Sequence, residues 1–396
     1  MQNPLAQEVH ELAYALHKRS IEIRRDLHRI PETAWQEVKT SAYLKKKLSD
    51  NGIKFKSIAG TGILAEISSG KGKCVAIRSD IDALPIEEQT GYPFKSTHPG
   101  RMHACGHDMH MATVTTAAIM LSRLKEHFRG TIKILYQPSE EEPPGGALKL
   151  IDQGALERPN VDMIFGLHVN SAYPTGTIAV RDGAFFAGVL DFDVTINGIG
   201  GHGAIPHRTA DPIVCGSALV TALQTIVSRN IDPFEPAVVT IGRIEGGTAR
   251  NIIPGSCRLC GTARGQSAAT LNTLKKRIGM IVKETAKSFN CKAEINYIAS
   301  YPPLINQPEA NKFITDSARS LFGSNSIKKI VNPSMGGEDF ARYVQLVPGA
   351  MFFLGVGNSG IGANRAWHHP KFKADEDAIP VGAAILTKSA IDFLNE

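Results

Sequence analysis

The chain has 396 residues, 42% hydrophobic and 21% charged, the profile of a globular protein with material for two or three domains. Its 44 Lys and Arg against 38 Asp and Glu leave a net charge of +6, but no basic run is interleaved with aromatics, which argues against nucleic-acid binding. No apolar run reaches the ~18–20 residues of a membrane helix, no basic-then-apolar leader opens the chain, and six cysteines without paired spacings read as reduced thiols. The expected location is the cytoplasm, with no membrane partner.

In chain order, Leu12, Leu16, Ile21 and Leu27 recur at helical spacing from Gln7 to about Ile30, and Pro31 ends the pattern. A second helix over Ser41–Asp50 stops at Asn51-Gly52. Short apolar runs at 62–67 and 73–78 read as strands, and the second leads into Asp80-Ile81-Asp82. Then comes the densest stretch in the chain, Met102-His103-Ala104-Cys105-Gly106-His107-Asp108-Met109-His110. Imidazole and thiolate are borderline-to-soft ligands, so this stretch points to a metal such as zinc, nickel, cobalt or manganese. A long apolar helix follows to about His127.

The strand 130–136 runs into Gln137-Pro138-Ser139-Glu140-Glu141, a helix spans 147–153, and the strand 162–169 carries His168. Strands alternating with helices predict an α/β sheet covered on both faces, with ligands bound at the carboxyl ends of its strands. Asp80, Asp82, Glu140, Glu141 and His168 fall at such positions. From Phe185 the order becomes β-α-β-β-α-β through Ile298, with Asp211-Pro212 opening the first helix. That order predicts a compact ferredoxin-like α/β sandwich inserted into the first domain. Cys257-x-x-Cys260 lies in one of its strands with no second pair to close a metal site. Beyond Pro302-Pro303 the first pattern resumes, with a loop at Ser334–Phe340, a strand over 350–356, the cluster Trp367-His368-His369-Pro370 and a C-terminal helix. The expected domains are 1–184 with 299–396, and 185–298.

Cys105/His107, Glu140/Glu141, His168 and His368/His369 are four separated clusters whose side chains suit a two-metal site. Adjacent Glu140 and Glu141 let one carboxylate ligate while the other faces the bound water as a general base. Seven motifs then occur in order: His103–Asp108, Gln137–Glu141, Gly166–Val169, Gly201-His202, Asn251–Pro254, Gly337–Phe340 and His368–Pro370. Together they resemble the N-acyl-amino-acid amidohydrolases, including hippurate hydrolases and auxin-conjugate hydrolases, of the aminoacylase/carboxypeptidase metallopeptidase family.

The resemblance implies a di-metal aminopeptidase-like α/β catalytic domain with an inserted dimerisation or lid domain. It implies that Cys105, His107, Glu141, His168 and His368 hold two divalent metal ions, with Cys105 bridging. His368 rather than His369 follows the family's spacing to the Pro. Glu140 becomes the general base, and His202 reaches a partner subunit's site to polarise the scissile carbonyl. Asn251, and with it Arg250, becomes a substrate contact. The wider family's His-x-Asp motif reads Asp80-Ile81-Asp82 here, which leaves Asp80 and Asp82 to orient ligand imidazoles. His103, His110 and His207 read as structural. The implied reaction is hydrolysis of an N-acyl amino acid by a homodimer. A dipeptidase or carboxypeptidase, and a non-catalytic metal binder on the same fold, are the alternatives.

Overall fold

The computed structural model describes residues 4–298 and 301–396. The chain divides into two compact units, one of residues 1–183, 305–332 and 339–396, the other of 184–304 and 333–338. The expected boundary at 298/299 falls on residues outside those described. The segment Pro333–Glu338, expected with the first domain, clusters with the second unit. There Ser334 bridges to Phe186, and the Gln266 side chain donates to the Ser334 carbonyl.

In the first unit an eight-stranded sheet runs in the order 54–58, 62–68, 131–137, 74–80, 163–174, 349–357, 178–180, 327–329. Its four central strands are parallel. All seven residues of Cys74–Asp80 are buried. Alternate side chains point to opposite faces of a strand, so both faces of the sheet are covered there. Arg78 lies opposite both Leu135 and Gly166. Two residues further along the parallel strands come Asp80, Gln137 and His168, level with one another. The sheet thus delivers three polar side chains to one line at its carboxyl edge.

The sequence reading missed the edge strand Lys54–Ile58 and the short strand Ile178–Val180. It also drew one N-terminal helix where there are two, Pro4–Ala15 and His17–His28. The turn Cys105-Gly106-His107 opens the helix His107–Arg123. Gly106 has φ +87°, and a Cβ there would stand 2.4 Å from Val169 Cγ2. Only glycine lets the ligand-rich loop close this tightly against the neighbouring strand.

The second unit is a four-stranded antiparallel sheet in the order 237–246, 256–265, 188–197, 292–298. The helices Pro212–Asn230 and Ala268–Ser288 pack on it through residues such as Leu219, Leu223, Leu274 and Ile278. This is the ferredoxin-like order. Asp211 accepts from the Ile213 and Val214 amides, the expected cap, and Ser267 accepts from the Thr270 amide at the start of the second helix. Pro212–Asn230 is long and apolar enough to cross a membrane by length and composition, contrary to the sequence expectation. It buries Cys215, Leu219, Leu223 and Ile226 along one face, the stripe of a core-packing helix. Cys257 faces this core while Cys260 is part-exposed, so Cys257-x-x-Cys260 does not present a thiol pair to one ligand.

Candidate metal centre

Every expected metal-ligating residue lies in the first unit. Ligand atoms of Cys105, His107 and His168 fall within 4.8 Å of one another, as do those of Cys105, Glu141 and His368. The two triads share Cys105. Its Sγ is 3.4 Å from His168 Nε2, and His368 Nε2 is 3.4 Å from Glu141 Oε1.

Hydrogen bonding selects which imidazoles can ligate. His107 Nδ1 is 2.9 Å from the Asp82 carbonyl, and His168 Nδ1 is 2.8 Å from the Val169 carbonyl. A carbonyl only accepts, so each ring carries its proton on Nδ1 and turns the Nε2 lone pair into the site. His110 differs. Its Nδ1 donates to Asp80 at 2.7 Å and its Nε2 accepts the Val169 amide at 2.9 Å, so both nitrogens are committed. Asp80 therefore orients His110 and not an expected ligand, which corrects half of the pairing expected for the two aspartates. Asp82 does meet His107, chiefly through its main-chain carbonyl, with its Oδ1 3.3 Å from Nδ1. Asp80, His107 and His110 also form a compact triad. The Arg78 guanidinium, 2.7 Å from Asp80 Oδ2, opposes a cation there.

The donor set fits a divalent ion on an observation of its own. His107 Nε2 and Glu141 Oε1 are buried, 3.8 Å apart, and neither has a hydrogen-bond partner. Buried polar atoms ordinarily find a protein, water or ion partner, and these two belong to a group, His107, Glu140 and Glu141, whose ligand atoms lie within 4.8 Å of one another. Electrostatics agree. Burial opposes protonation of His107, but Asp80, Asp82 and Glu141 outweigh it and push its pKa up to about 10. Burial, then Glu141, Glu140 and Asp80, push the Cys105 thiol well above its ordinary value. The pocket is electronegative, and a bound cation would reverse both effects. Glu140 Oε2 lies 3.9 Å from His107 Nε2, beside the ligand atoms.

Several supporting residues escaped the sequence reading. Asp108 is buried against Arg24 at 2.7 Å and His28 at 2.8 Å, tying the ligand-bearing helix to His17–His28. Asp339 accepts from Arg78, from the Gln137 amide and from the Ala147 backbone. Burial pushes its carboxyl up to about 6 against the pull of Arg78. Trp367 donates its indole N–H to the Val169 carbonyl at 2.7 Å and sets its ring 4.6 Å from that of His168. The His368 amide bonds the Ala104 carbonyl, fixing that loop beside Cys105. His369 instead turns Nδ1 to the Lys371 amide.

The second unit holds the other expected residues. His202 and Ile252 pair across a two-residue ladder, and the Gly203 amide bonds the Asn251 carbonyl. His202, Arg250 and Asn251 are all exposed.

Residues 76–392 match the model of peptidase family M20/M25/M40. The chain belongs to that family. It is 39% identical over 384 residues to N-acetyl-L-cysteine deacetylase of Bacillus subtilis strain 168, covering 96% of this chain and 89% of the relative. It is 37% identical over 379 residues to IAA-amino acid hydrolase ILR1-like 4 of Arabidopsis thaliana, covering 94% and 85%. Among solved structures, a putative aminohydrolase from methicillin-resistant Staphylococcus aureus superposes with TM-score 0.92 at 36% identity, covering 98% and 99%. The Bacillus subtilis YXEP protein, described as a dinuclear metal-binding peptidase of the M20 family, gives 0.82 at 32% identity, covering 96% and 99%. As an M20 member with these relatives, the protein is a metal-dependent hydrolase acting on amide bonds.

Proposed function

We propose that the protein hydrolyses N-acyl amino acids to a carboxylic acid and a free amino acid. The observation that carries this is the pair of ligand triads sharing Cys105, with Glu140 in neither of them although its carboxylate also lies within 4.8 Å of ligand atoms of His107 and Glu141. Cys105, His107 and His168 would hold one divalent ion, and Cys105, Glu141 and His368 the other. Ions bound there would supply Lewis-acid polarisation of the scissile carbonyl and a lowered pKa for water. Glu140 takes the proton of the attacking water and passes it to the leaving nitrogen. Both curated relatives described above are named for acyl or auxin conjugates of amino acids, which favours this substrate class over dipeptides.

The inserted unit serves as the dimerisation domain, and His202 of one subunit completes the other's site. His202 Nδ1 accepts the Ala204 amide at 3.0 Å, which leaves the ring proton on Nε2. That is the donor an oxyanion needs. Asn251, bonded to the same hairpin, and Arg250 contact the substrate. All six cysteines are free thiols, which supports a reducing, cytoplasmic setting.

Glu140→Gln tests the reading. Reconstituted in turn with zinc, manganese, nickel and cobalt, the variant should keep two ions per chain and lose about 10²–10⁴-fold in kcat on N-acetyl and N-benzoyl amino acids. Wild-type protein that cleaves only dipeptides, or a variant with unchanged turnover, contradicts it.

A further inference from the structure

Glu140 sits on the loop 138–145, and a loop between metal ligands must hold its general base to a fraction of an ångström. The question is what fixes its backbone. The Glu141 amide donates to Asp82 Oδ2 at 3.0 Å, and the Gly146 amide bonds the Ser139 carbonyl at 2.9 Å. On the other side of Glu140, the Ser139 amide donates to Glu37 Oε1 at 2.9 Å. Glu37 comes from a segment 102 residues away in sequence.

Glu37 is fully buried. The same Oε1 accepts the Trp35 amide at 2.9 Å, and Oε2 accepts the Thr61 hydroxyl at 2.6 Å. All three bonds in which the carboxylate serves as acceptor come from neutral donors. A buried carboxylate with neutral donors is costly to place, so its retention asks for a purpose. Ser139 supplies one. It has φ +53°, a left-handed conformation disfavoured for a residue with a Cβ, and it immediately precedes Glu140. Such a conformation persists only where the surroundings impose it. The Glu37 acceptor on one face of the Ser139 peptide and the Gly146 amide on its carbonyl do so.

We infer that Glu37 is a positioning residue that sets Glu140, by accepting the Ser139 amide and holding that residue in its left-handed turn. Together with Asp82 on the Glu141 amide, it brackets the general base between two anchored peptide groups. The Glu37 carboxylate bonds Trp35, Thr61 and Ser139, none of them a candidate metal ligand, so its removal should leave the ions in place. The inference rests on the assignment of Glu140 as general base, and its test therefore includes a measurement on the loop itself.

Glu37→Ala and Glu37→Gln should be compared as metal-loaded enzyme and as stripped protein. In Glu37→Ala, kcat on an N-acetyl amino acid should fall about 10²-fold, with KM and the two bound ions unchanged. Hydrogen exchange of the peptide spanning residues 139–142 should quicken in the stripped protein. In Glu37→Gln the amide oxygen still accepts from Ser139, and the Thr61 hydroxyl can turn to accept from the new NH₂. That variant should recover both kcat and slow exchange. Glu37→Met, matched in length but without an acceptor, replaces Glu37→Ala should the latter fail to fold. Unchanged exchange in the variants lacking an acceptor, or a Gln variant as damaged as they are, overturns the inference. Wild-type protein inactive on every N-acyl amino acid overturns the proposed substrate class instead, while the exchange result still judges Glu37.

Discussion

The two units differ in how they hold most of their expected functional residues, the exposed His368 being the exception in the first. In the first, His107, His168 and Glu140 are nine-tenths or more buried, and the second nitrogen of each of the two imidazoles is tied to a main-chain carbonyl. In the second, His202, Arg250 and Asn251 stand exposed around a two-residue ladder. The difference shows where preorganisation is needed. Groups that ligate ions must be aimed before the ion arrives, and burial makes every unsatisfied partner costly. Groups that meet a substrate or an oxyanion can wait in solvent. Support for the first unit's site is therefore part of its folding energy, while support for the second's is not.

Substitutions can break this contrast, beginning where the largest effect is expected. Asp108→Ala leaves Arg24 with Glu376 as its ion-pair partner and His28 with Glu88. Removing one partner of a buried ion pair costs about 3–5 kcal/mol, so urea unfolding of the stripped protein should show a loss of that order. A change below about 1 kcal/mol would place this network outside the folding core.

Glu37 gives a pH-dependent effect of somewhat smaller size. Burial pushes its carboxyl up to about 7, with Asp82 adding to the rise and the Thr61 and Ser139 bonds opposing it. Between about pH 4.3 and that value the folded protein holds more of this proton than the unfolded chain does. Stability from this group therefore falls as pH rises through the window. Glu37→Gln cannot titrate. Its stability relative to wild type should climb between about pH 4 and pH 8, by up to ~3 kcal/mol. A difference flat with pH contradicts the burial argument.

Asp82→Ala removes the carboxylate that accepts the Glu141 amide and lies beside His107. Loss of such a support typically weakens metal binding by about 10–100-fold, measurable by competition with a chromophoric chelator. Asp80→Asn should weaken it less, since its partner is His110. Equal effects would erase the distinction drawn between the two aspartates. The smallest change belongs to the second unit. His202→Ala should lower kcat while shifting stability by no more than about 0.5 kcal/mol, with metal affinity unchanged.

The sequence made legible what depends on local pattern. The β-α-β-β-α-β order and the Asp211-Pro212 helix start were enough for the inserted sandwich. The dense His and Cys stretch, with Glu141, His168 and His368 as distant partners, pointed to residues whose ligand atoms the fold brings within 4.8 Å in groups of three. What stayed hidden depends on long-range burial of charge. Asp108 meets Arg24 from 84 positions away and Asp339 meets Arg78 from 261. No spacing rule reports such pairs. One signal was available: Arg78 directly follows the apolar run Cys74–Ile77 in a wholly buried strand, and a charge there needs a partner. Type and position alone do not separate His110 from His107, and the expectation that His110 is structural came with the family resemblance. Only its second hydrogen bond, to the Val169 amide, removes it from ligation.

The central claim is that one thiolate serves two ions. Titration of stripped protein with cobalt, followed by thiolate-to-metal charge-transfer absorption and equilibrium dialysis, tests it most directly. Wild type should bind two ions per chain, and Cys105→Ala should weaken both. One ion per chain in wild type, or a variant that loses a single site and keeps the other intact, would contradict the account.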